Sequence, residues 1–267
     1  MSQPSAGTSI GIAILGRGRM GRAIQSCIAD SSEVRVASMW VRDGVSTDRG
    51  ASYIQSIDLG AVFSPADVAI DFTLPAATEQ VIAAAIAAGI PLVCGVSGLT
   101  EENRQHMADA AGKIPVLYDR NLSLGVAVMR QLVELLGSTL GDQFSAEIHE
   151  THHVHKIDAP SGTALQLGEV LAASRGQSLD DVYHYDKDGN SSPDPGDIHF
   201  EVVRRGEVPG EHSVIMSSTN ETLSLTHKVT DRRVFAAGAI KAARWLLTQR
   251  PGLYGMQDLV ADTKRLQ

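Results

Sequence analysis

The sequence predicts an α/β protein with two domains: an N-terminal, doubly wound parallel sheet and a C-terminal α+β domain that holds a mixed sheet. Three observations carry this prediction. Short apolar runs alternate with helix-like segments over residues 10–118, and a glycine-rich turn directly follows the first run. Beyond residue 197, three strand-like segments follow one another without helices between them. Alternating strands and helices indicate parallel strands with crossover helices, whereas consecutive strands indicate antiparallel or mixed pairing.

The N-terminal elements follow from hydrophobic periodicity and from the Gly and Pro residues between the periodic segments. We expect strands at Ile10–Leu15, Val34–Val41, Asp67–Phe72, Pro91–Cys94 and Ile114–Tyr118. We expect helices at Met20–Ala29, Ala76–Ala88 and Glu101–Ala111. Because crossovers between parallel strands are right-handed, these helices should cover both faces of a single sheet.

The pattern changes after Asn121, which places the domain boundary near residues 120–125. Helices are expected at Gly125–Leu136, at Ser161–Ala173 and, as the final helix, at Ala236–Leu247. Strands are expected at Phe144–His153, Ile198–Arg204, Glu211–Ser217 and Thr222–Val229. The segment Asp186–Gly196 has the Asp, Asn, Ser, Pro and Gly content of a loop.

The composition excludes several classes of protein. The 267 residues carry a net charge of −8, which argues against nucleic-acid or anionic-membrane binding. Two cysteines rule out a disulfide framework and favour a reducing compartment. The lead Met1–Thr8 lacks the regions of a secretory signal, and the longest apolar stretch, Val81–Ile90, is too short to span a membrane. We therefore expect a cytoplasmic protein that binds neither a membrane nor a nucleic acid.

A glycine loop marks a candidate phosphate site. The segment Gly16-Arg17-Gly18-Arg19-Met20-Gly21 fits the G-x-G-x-x-G pattern, after a predicted strand and at the start of a predicted helix. The glycines allow a sharp turn and a close approach of the backbone to a pyrophosphate, and the helix N-terminus offers N–H groups to it. Arg17 and Arg19 add positive charge. This context indicates a Rossmann-type dinucleotide-binding domain; the alternative is a tight strand–helix turn without a ligand.

The end of the second strand predicts which nicotinamide cofactor binds. An NAD site places an acidic side chain there to accept hydrogen bonds from the ribose hydroxyls. This strand instead ends in Val41 and Arg42, followed by Asp43. Because Arg42 could pair with a 2′-phosphate, we expect NADPH to be preferred over NADH, while the neighbouring Asp43 leaves NADH binding open.

Four of the nine histidines fall within seven residues: His149, His152, His153 and His155. Residues 149–153 match H-E-x-x-H, the zinc signature that requires a helix. The flanking residues alternate between apolar and polar, which indicates a strand, where positions i and i+4 lie about 13 Å apart. Two histidines at that separation cannot share one zinc ion, so we expect no metal.

The same segment favours an anion site with acid chemistry. His152, His153 and Lys156 concentrate positive charge within five residues. Ser161 is a good N-cap for the helix that follows, whose first N–H groups, from Gly162 and Thr163, offer a second anion site. Histidine titrates near neutral pH and also serves as a general acid. A substrate with carboxylates fits this arrangement; a capped helix beside a polar loop is the alternative.

Several segments in order resemble the 4-hydroxy-tetrahydrodipicolinate reductases, also called dihydrodipicolinate reductases, of bacterial diaminopimelate and lysine synthesis. They are GRGRMG at 16–21, DFT-x-P at 71–75, CGVSGL at 94–99, RNLSLGVAVM at 120–129, HHVHKIDAPSGTA at 152–164, GEH at 210–212 and RRVFAAGA at 232–239. These segments cover nearly the whole chain, and the histidine-rich one is long and highly specific.

The resemblance implies a homotetramer with a dinucleotide-binding domain at 1–122, to which residues 236–267 return, and a substrate-binding and oligomerisation domain at 123–235. It implies that His152 is the acid/base and Lys156 the proton donor. It implies a dicarboxylate-binding set of His153, Lys156, Gly162 and Thr163. Besides the glycine loop, the implied cofactor contacts are Arg42, Gly95, Val96, Ser97, Arg120, Asn121, Leu122, Arg232 and Phe235.

The implied reaction is the NAD(P)H-dependent reduction of 4-hydroxy-tetrahydrodipicolinate, with hydride transfer to C4 and a proton to quench the developing charge. The chain departs from the family in a shorter glycine loop, in Val41 where an acid is common, and in Leu122 where an aromatic is common. Two alternatives remain open: another Rossmann-type dehydrogenase of a small carboxylate, and a non-catalytic NADPH-binding protein.

Overall fold

A computed structural model describes residues 9–29, 31–42, 51–185 and 194–265, with side chains to residue 262. The lead Met1–Thr8, Asp43 and most of the predicted loop Asp186–Gly196 lie outside these ranges. The chain divides into two compact units. Unit 1 comprises Met1–Ser123 and Arg233–Gln267, and unit 2 comprises Leu124–Arg232.

Unit 1 contains a parallel sheet of seven strands. The strands are β1 (Ile10–Leu15), β2 (Val34–Trp40), β3 (Ile54–Ser56), β4 (Val68–Asp71), β5 (Leu92–Cys94), β6 (Pro115–Tyr118) and β12 (Gly252–Tyr254). Their order is β12-β6-β5-β4-β1-β2-β3. The chain leaves β1 toward β2 on one side and returns to β4 on the other, so strand order reverses beside β1. This reversal is the topological switch point at which open α/β sheets bind ligands.

The helices of unit 1 are α1 (Arg19–Ala29), α2 (Leu59–Phe63), α3 (Thr78–Ala88), α4 (Glu101–Ala111), α8 (Arg233–Leu246) and α9 (Met256–Arg265). Alternate strand residues, such as Ala13, Leu15 and Ala69, are buried against α2, α3 and α4 in one apolar core. Thr100 caps α4 by accepting from the Asn103 N–H at 3.2 Å, while the Asn103 side chain accepts from the Thr100 N–H. The predicted doubly wound sheet is confirmed.

Sequence patterning missed four short or terminal elements of unit 1. β3 and α2 are only three and five residues long, too short for a period to show. The prediction that Ala236–Leu247 is the final helix is wrong, because α8 is followed by β12 and α9. β12 contributes three residues at the edge of the sheet beside β6, where Gly252 pairs with Pro115.

Unit 2 contains a mixed sheet, as predicted, but it has five strands, and the short strand β8 was not predicted. The strands are β7 (Ser145–His152), β8 (Tyr183–Tyr185), β9 (Ile198–Arg204), β10 (Gly210–Ser217) and β11 (Thr222–Val229), in the order β11-β10-β7-β9-β8. β10 is antiparallel to both of its neighbours, and β9 is parallel to β7 and β8. The helices are α5 (Leu124–Leu140), α6 (Gly162–Ser174) and α7 (Leu179–Val182).

One face of the unit 2 sheet is buried and the other is open. Ala146 and Ile148 of β7 pack with Leu167 of α6 and Met129 of α5 in a single core. Residues on the opposite face, such as Glu147 and His149, stay partly accessible. Among the helices the structure describes, none combines the length and apolar character needed to cross a membrane. Cys27 and Cys94 form no disulfide.

Candidate functional site

The predicted cofactor residues of unit 1 lie where its parallel strands end. Leu15, Asp71, Cys94 and Tyr118 pair across β1, β4, β5 and β6 at a single level of the sheet, and Trp40 of β2 pairs with Leu15. Each predicted segment begins one or two residues after one of these strand ends. They are the glycine loop after β1, Arg42 after β2, Gly95–Ser97 after β5 and Arg120–Leu122 after β6.

The glycine loop has the geometry that its spacing predicts. Gly16 has φ +98, a conformation that side chains rarely adopt. A Cβ at Gly21 would lie 2.0 Å from the Gly16 carbonyl oxygen, so α1 approaches the loop as closely as only glycine permits. A Cβ at Gly18 would meet nothing within 4 Å. The loop therefore offers open space at its middle glycine, beside the first-turn N–H groups of α1 that have no intrahelical acceptors. These features fit the pyrophosphate of a dinucleotide.

The loops after β5 and β6 are packed tightly in unit 1. A Cβ at Gly95 would lie 2.4 Å from Cε1 of Phe72, so the phenyl ring rests on the Gly95 backbone. A Cβ at Gly238 of α8 would lie 1.8 Å from the Leu122 carbonyl oxygen. The Asp119 carboxylate accepts from the Met256 N–H at 3.2 Å, which ties the loop to the start of α9. The C-terminal segment thus fixes the loop that carries Arg120–Leu122.

Asp71 is a buried carboxyl at this strand edge. It is 1% exposed and accepts from the Thr73 N–H at 2.8 Å. Burial raises its pKa to about 6, although the hydrogen bonds from Thr73 oppose that shift. Burial and the nearby Asp71 also raise the pKa of the Cys94 thiol, which is therefore unreactive at neutral pH.

The basic residues predicted around the cofactor are more accessible. Arg19 and Arg42 are exposed and Arg17 is half-buried.

The remaining predicted cofactor residues lie in several places. Arg232 is the last residue of unit 2, and Phe235 lies in the first turn of α8 in unit 1. Met20 lies in the first turn of α1, whereas Val96 is buried and Ser97 exposed after β5.

The strand containing the clustered histidines separates them. β7 confirms the predicted strand, and its alternation places His152 on the buried face and His149 on the open face. His149 Nε2 lies 2.7 Å from Glu147 and 3.3 Å from Glu201. His155 follows in the next loop, 3.4 Å from Glu207. The H-E-x-x-H segment therefore does not form a helical zinc motif.

A buried carboxylate, Glu150, lies beside His152. Glu150 Oε1 accepts from the Ser161 N–H at 3.1 Å and from Arg204 Nη2 at 3.0 Å. Its other oxygen, Oε2, lies 3.4 Å from His152 Nδ1 and 3.7 Å from His212 Nε2. Strand register brings these groups together, because His212 of β10 pairs with Glu150 and Arg204 of β9 pairs with His152.

Arg204 also holds the loop that carries Lys156. Its Nε donates to the Lys156 carbonyl at 3.3 Å, and Nη2 donates to the Asp158 carbonyl. The Lys156 ammonium lies 2.8 Å from Asp158 Oδ2, and its side chain is 22% exposed. Lys156 is thus a charged group at an accessible surface, a few residues after a buried imidazole.

Both buried histidines at this strand end favour the neutral form. Burial, with the positive charges of Lys156 and Arg204, lowers the pKa of His152 to about 4. Burial and His152 lower the pKa of His212 to about 3, although Glu150 opposes that shift. His152 therefore carries no proton to donate near neutral pH.

The N-terminus of α6 completes the site in unit 2. Ser161 Oγ accepts from the Ala164 N–H at 3.2 Å, which confirms the predicted N-cap. Gly162 and Thr163 form the first two positions of the helix, and Thr163 is buried. At Gly210 a Cβ would lie 3.1 Å from His152 Nε2, so this glycine leaves room beside the ring. His153 follows β7 directly and its ring lies 6.1 Å from that of His155.

Two groups of residues in the described part of the chain have ligand atoms close enough for a metal ion: Glu150, His152 and His212, and His184, Asp197 and His199. In the first group the carboxylate is already paired with Arg204, and a cation there would also face Lys156. That positive surrounding opposes metal binding. The second group lies at the sheet edge, where His184 Nε2 forms an ion pair with Asp197 at 3.2 Å.

Sequence reasoning missed three members of this site: Glu150, Arg204 and His212. Glu150 could have been found from the strand prediction, since it lies two residues before His152 and so on the same face. His212 belongs to the GEH segment, but no local pattern connects β10 or β9 to β7. Their contribution depends on strand register between distant segments.

Comparison with known proteins places both units in one family. Residues 10–122 match the family described as dihydrodipicolinate reductase, N-terminus, and residues 125–260 match dihydrodipicolinate reductase, C-terminus. The 4-hydroxy-tetrahydrodipicolinate reductase of Halorhodospira halophila is 40% identical over 94% of this chain and 99% of the relative. That of Nitrosomonas eutropha is 37% identical over 95% of this chain and 98% of the relative.

A solved structure shares the fold. The dipicolinate-bound dihydrodipicolinate reductase from Paenisporosarcina sp. TG-14 has a TM-score of 0.77 at 20% identity and covers 94% of this chain and 99% of its own.

Proposed function

This chain belongs to the dihydrodipicolinate reductase family, and from that premise we propose how it reduces 4-hydroxy-tetrahydrodipicolinate with a nicotinamide cofactor. Membership makes it an oxidoreductase and removes the alternative of an unrelated dehydrogenase. We base the assignment of the site on the end of β7 in unit 2. There His152 lies beside Glu150, and Arg204 binds the loop that carries Lys156.

We assign cofactor binding to the strand edge of unit 1. The open space at Gly18 and the first turn of α1 would hold the pyrophosphate, and Gly95–Ser97 and Arg120–Leu122 would line the nicotinamide. When bound, the nicotinamide supplies the hydride. Arg42 is exposed at the end of β2, where a 2′-phosphate would be recognised, and this supports a preference for NADPH. Arg232 and Phe235 complete the proposed cofactor contacts.

We assign the proton chemistry to Lys156 and His152. The 4-hydroxyl leaves as water, which gives a conjugated dicarboxylate; hydride addition at C4 then leaves negative charge, which a proton from the Lys156 ammonium quenches. Asp158 at 2.8 Å stabilises the ammonium and orients it. His152, neutral because of burial and nearby cations, would act through its ring nitrogen as acceptor and orienting group.

We assign carboxylate binding to the start of α6 and the residues that precede it. A dicarboxylate would accept from the N–H groups of Gly162 and Thr163, at the positive end of the helix dipole. Lys156 and His153 add positive charge from the loop after β7. Because these contacts hold the substrate in both ground and transition states, we expect them to set KM more than kcat.

We propose that the chain assembles as a homotetramer through the open face of the unit 2 sheet. That face presents Ile215, Val203 and the hydrogen-bonded pair of Ser213 and Thr226. Such a mixture of apolar and polar side chains suits burial against the same face of a second copy of the chain.

We expect the enzyme to work in the cytoplasm, where the biosynthetic cofactor and the substrate are formed.

The proposed function is tested by steady-state NADPH oxidation. The purified chain is supplied with an aldolase-type system that generates the hydroxy-tetrahydrodipicolinate, and kcat/KM is measured with NADPH and with NADH. We expect substrate-dependent oxidation of both and a larger kcat/KM for NADPH. Cofactor binding without turnover would identify a non-catalytic binding protein, and a larger kcat/KM for NADH would contradict the role of Arg42.

A further inference from the structure

We propose that the buried ion pair of Glu150 and Arg204 positions both proposed catalytic side chains, Glu150 by orienting His152 and Arg204 by fixing the loop of Lys156. This inference rests on the proposed function for the reaction that it serves. It assigns two positioning residues that lie on different strands and that neither the glycine loop nor the histidine cluster indicates.

The orientation of Glu150 is fixed from three sides. Its side chain is fully buried, and Oε1 is held by the Ser161 N–H and by Arg204. The remaining oxygen, Oε2, is thereby directed at His152 Nδ1, 3.4 Å away. Among the described residues neither Oε2 nor Nδ1 has a hydrogen-bond partner in this geometry, and both are buried. Oε2 accepts hydrogen bonds, and Nδ1 donates one when it carries the ring proton. A hydrogen bond between them therefore satisfies both buried atoms.

This contact determines which ring nitrogen of His152 carries the proton. A carboxylate only accepts hydrogen bonds, so a hydrogen bond across this 3.4 Å contact requires Nδ1 to be the protonated nitrogen of the neutral ring. Nε2 is then left with its lone pair, on the side where Gly210 leaves room beside the ring. The carboxylate thus presents His152 to the substrate as an acceptor in a fixed orientation.

Arg204 extends the arrangement to the second catalytic group. The same guanidinium that binds Glu150 donates from Nε to the Lys156 carbonyl and from Nη2 to the Asp158 carbonyl. A planar guanidinium keeps these donors in one fixed geometry, which a lysine could not reproduce. The backbone that carries Lys156 is therefore bound to the carboxylate that orients His152, through one side chain.

Loss of Arg204 and loss of the Glu150 charge should affect the pKa of His152 differently. The charged or titratable groups that surround its ring are Glu150, Lys156, Arg204, Asp158, His153 and His212. Loss of Arg204 leaves an unpaired carboxylate beside His152 and should raise its pKa toward neutrality. Loss of the Glu150 charge leaves Arg204 uncompensated and should hold that pKa low. A purely structural role would not raise the pKa of His152 in one variant and leave it low in the other.

The test uses Glu150→Gln and Arg204→Gln in the full chain, with Glu201→Gln as the matched control. Glu201 lies on β9 as Arg204 does, but it pairs with His149 on the open face. We expect kcat to fall at least about tenfold in both test variants, with KM for the cofactor unchanged and the control near wild type. We expect Arg204→Lys to recover less than full activity.

Nitrogen NMR of His152 in the wild type identifies the protonated ring nitrogen without any variant, and in folded variants it gives the pKa of the ring. We expect the wild-type ring to be protonated at Nδ1, and its pKa to rise in Arg204→Gln but not in Glu150→Gln. A wild-type ring protonated at Nε2, or active variants with unchanged kcat, would overturn the proposal. Absence of reductase activity in the wild type would instead contradict the proposed function, so the two failures are distinguishable.

Discussion

Both candidate sites lie at the ends of β-strands, but they are built from different parts of the chain. In unit 1 the site consists of backbone: glycines at 16, 18 and 21 bring N–H groups to an open space. In unit 2 it consists of buried side chains, with Glu150 contacting Arg204, Ser161 and His152. The first arrangement suits a ligand held by its phosphates, and the second suits proton transfer, which needs titratable groups with controlled charge.

The largest expected effect comes from Lys156, the proposed proton donor in unit 2. We expect Lys156→Ala to lower kcat by about 10²–10⁴-fold, the usual contribution of a general acid. Lys228→Ala is the matched control, because Lys228 forms an exposed ion pair with Glu211 at 3.0 Å. Steady-state NADPH oxidation measures both, and near-wild-type turnover of Lys156→Ala would show that the proton comes from elsewhere.

The buried titratable groups of the two units should give opposite pH dependence of stability. Asp71 has its pKa raised to about 6 by burial, so the native state binds its proton more tightly than the unfolded state between pH 4 and 6. Stability from Asp71 therefore falls as pH rises through this range, by about 3 kcal/mol for a shift of this size. His212 has its pKa lowered to about 3, so its contribution is lost as pH falls below 6.5.

Thermal unfolding of Asp71→Asn and His212→Gln checks this contrast. Relative to wild type, Asp71→Asn should gain stability from pH 4 to pH 7. His212→Gln should be least stable relative to wild type at neutral pH and should recover toward pH 4. Parallel profiles for wild type and both variants would mean that neither group titrates differently in the folded state.

The two glycines of the phosphate loop separate packing from binding. A Cβ at Gly21 collides with the Gly16 carbonyl, so Gly21→Ala should destabilise the protein by about 1–3 kcal/mol. At Gly18 a Cβ meets no protein atom, so Gly18→Ala should keep the wild-type melting temperature while the cofactor Kd rises about tenfold. Unchanged cofactor affinity in Gly18→Ala would place the pyrophosphate elsewhere.

Arg42 is exposed two residues after the end of β2, and its loss should affect only one of the two cofactors. We expect Arg42→Ala to raise KM for NADPH about tenfold, the loss of one charge-assisted hydrogen bond, and to leave KM for NADH unchanged. An equal rise for both cofactors would assign Arg42 to a part of the nucleotide that they share.

The same contrast explains how much could be predicted from the sequence. The backbone site is visible in a single segment, because the spacing of Gly16, Gly18 and Gly21 encodes a turn and a close approach. The strand β7 was also predictable from its alternation, which removed the zinc interpretation. Glu150 lies only two residues from His152 in the sequence. Its role depends on Arg204 and His212, however, and strand register brings these two residues to it from distant segments.

The terminal part of unit 1 was less predictable for a different reason. β12 is three residues long and, among the strands the structure describes, pairs only with β6, so no periodic pattern reveals it. The tight contact of Gly238 with the Leu122 carbonyl likewise joins segments more than a hundred residues apart. Such contacts depend on the packing of the whole unit. In the sequence they are visible only as a glycine, and the glycine does not show which residue it contacts.

The central claim is that the side chains at the end of β7 perform the reduction while unit 1 binds the cofactor. The most direct test is to measure kcat and the NADPH Kd of His152→Ala together. We predict a kcat lowered at least about a hundredfold with a Kd within about twofold of wild type. Wild-type kcat in a folded His152→Ala variant would contradict the account.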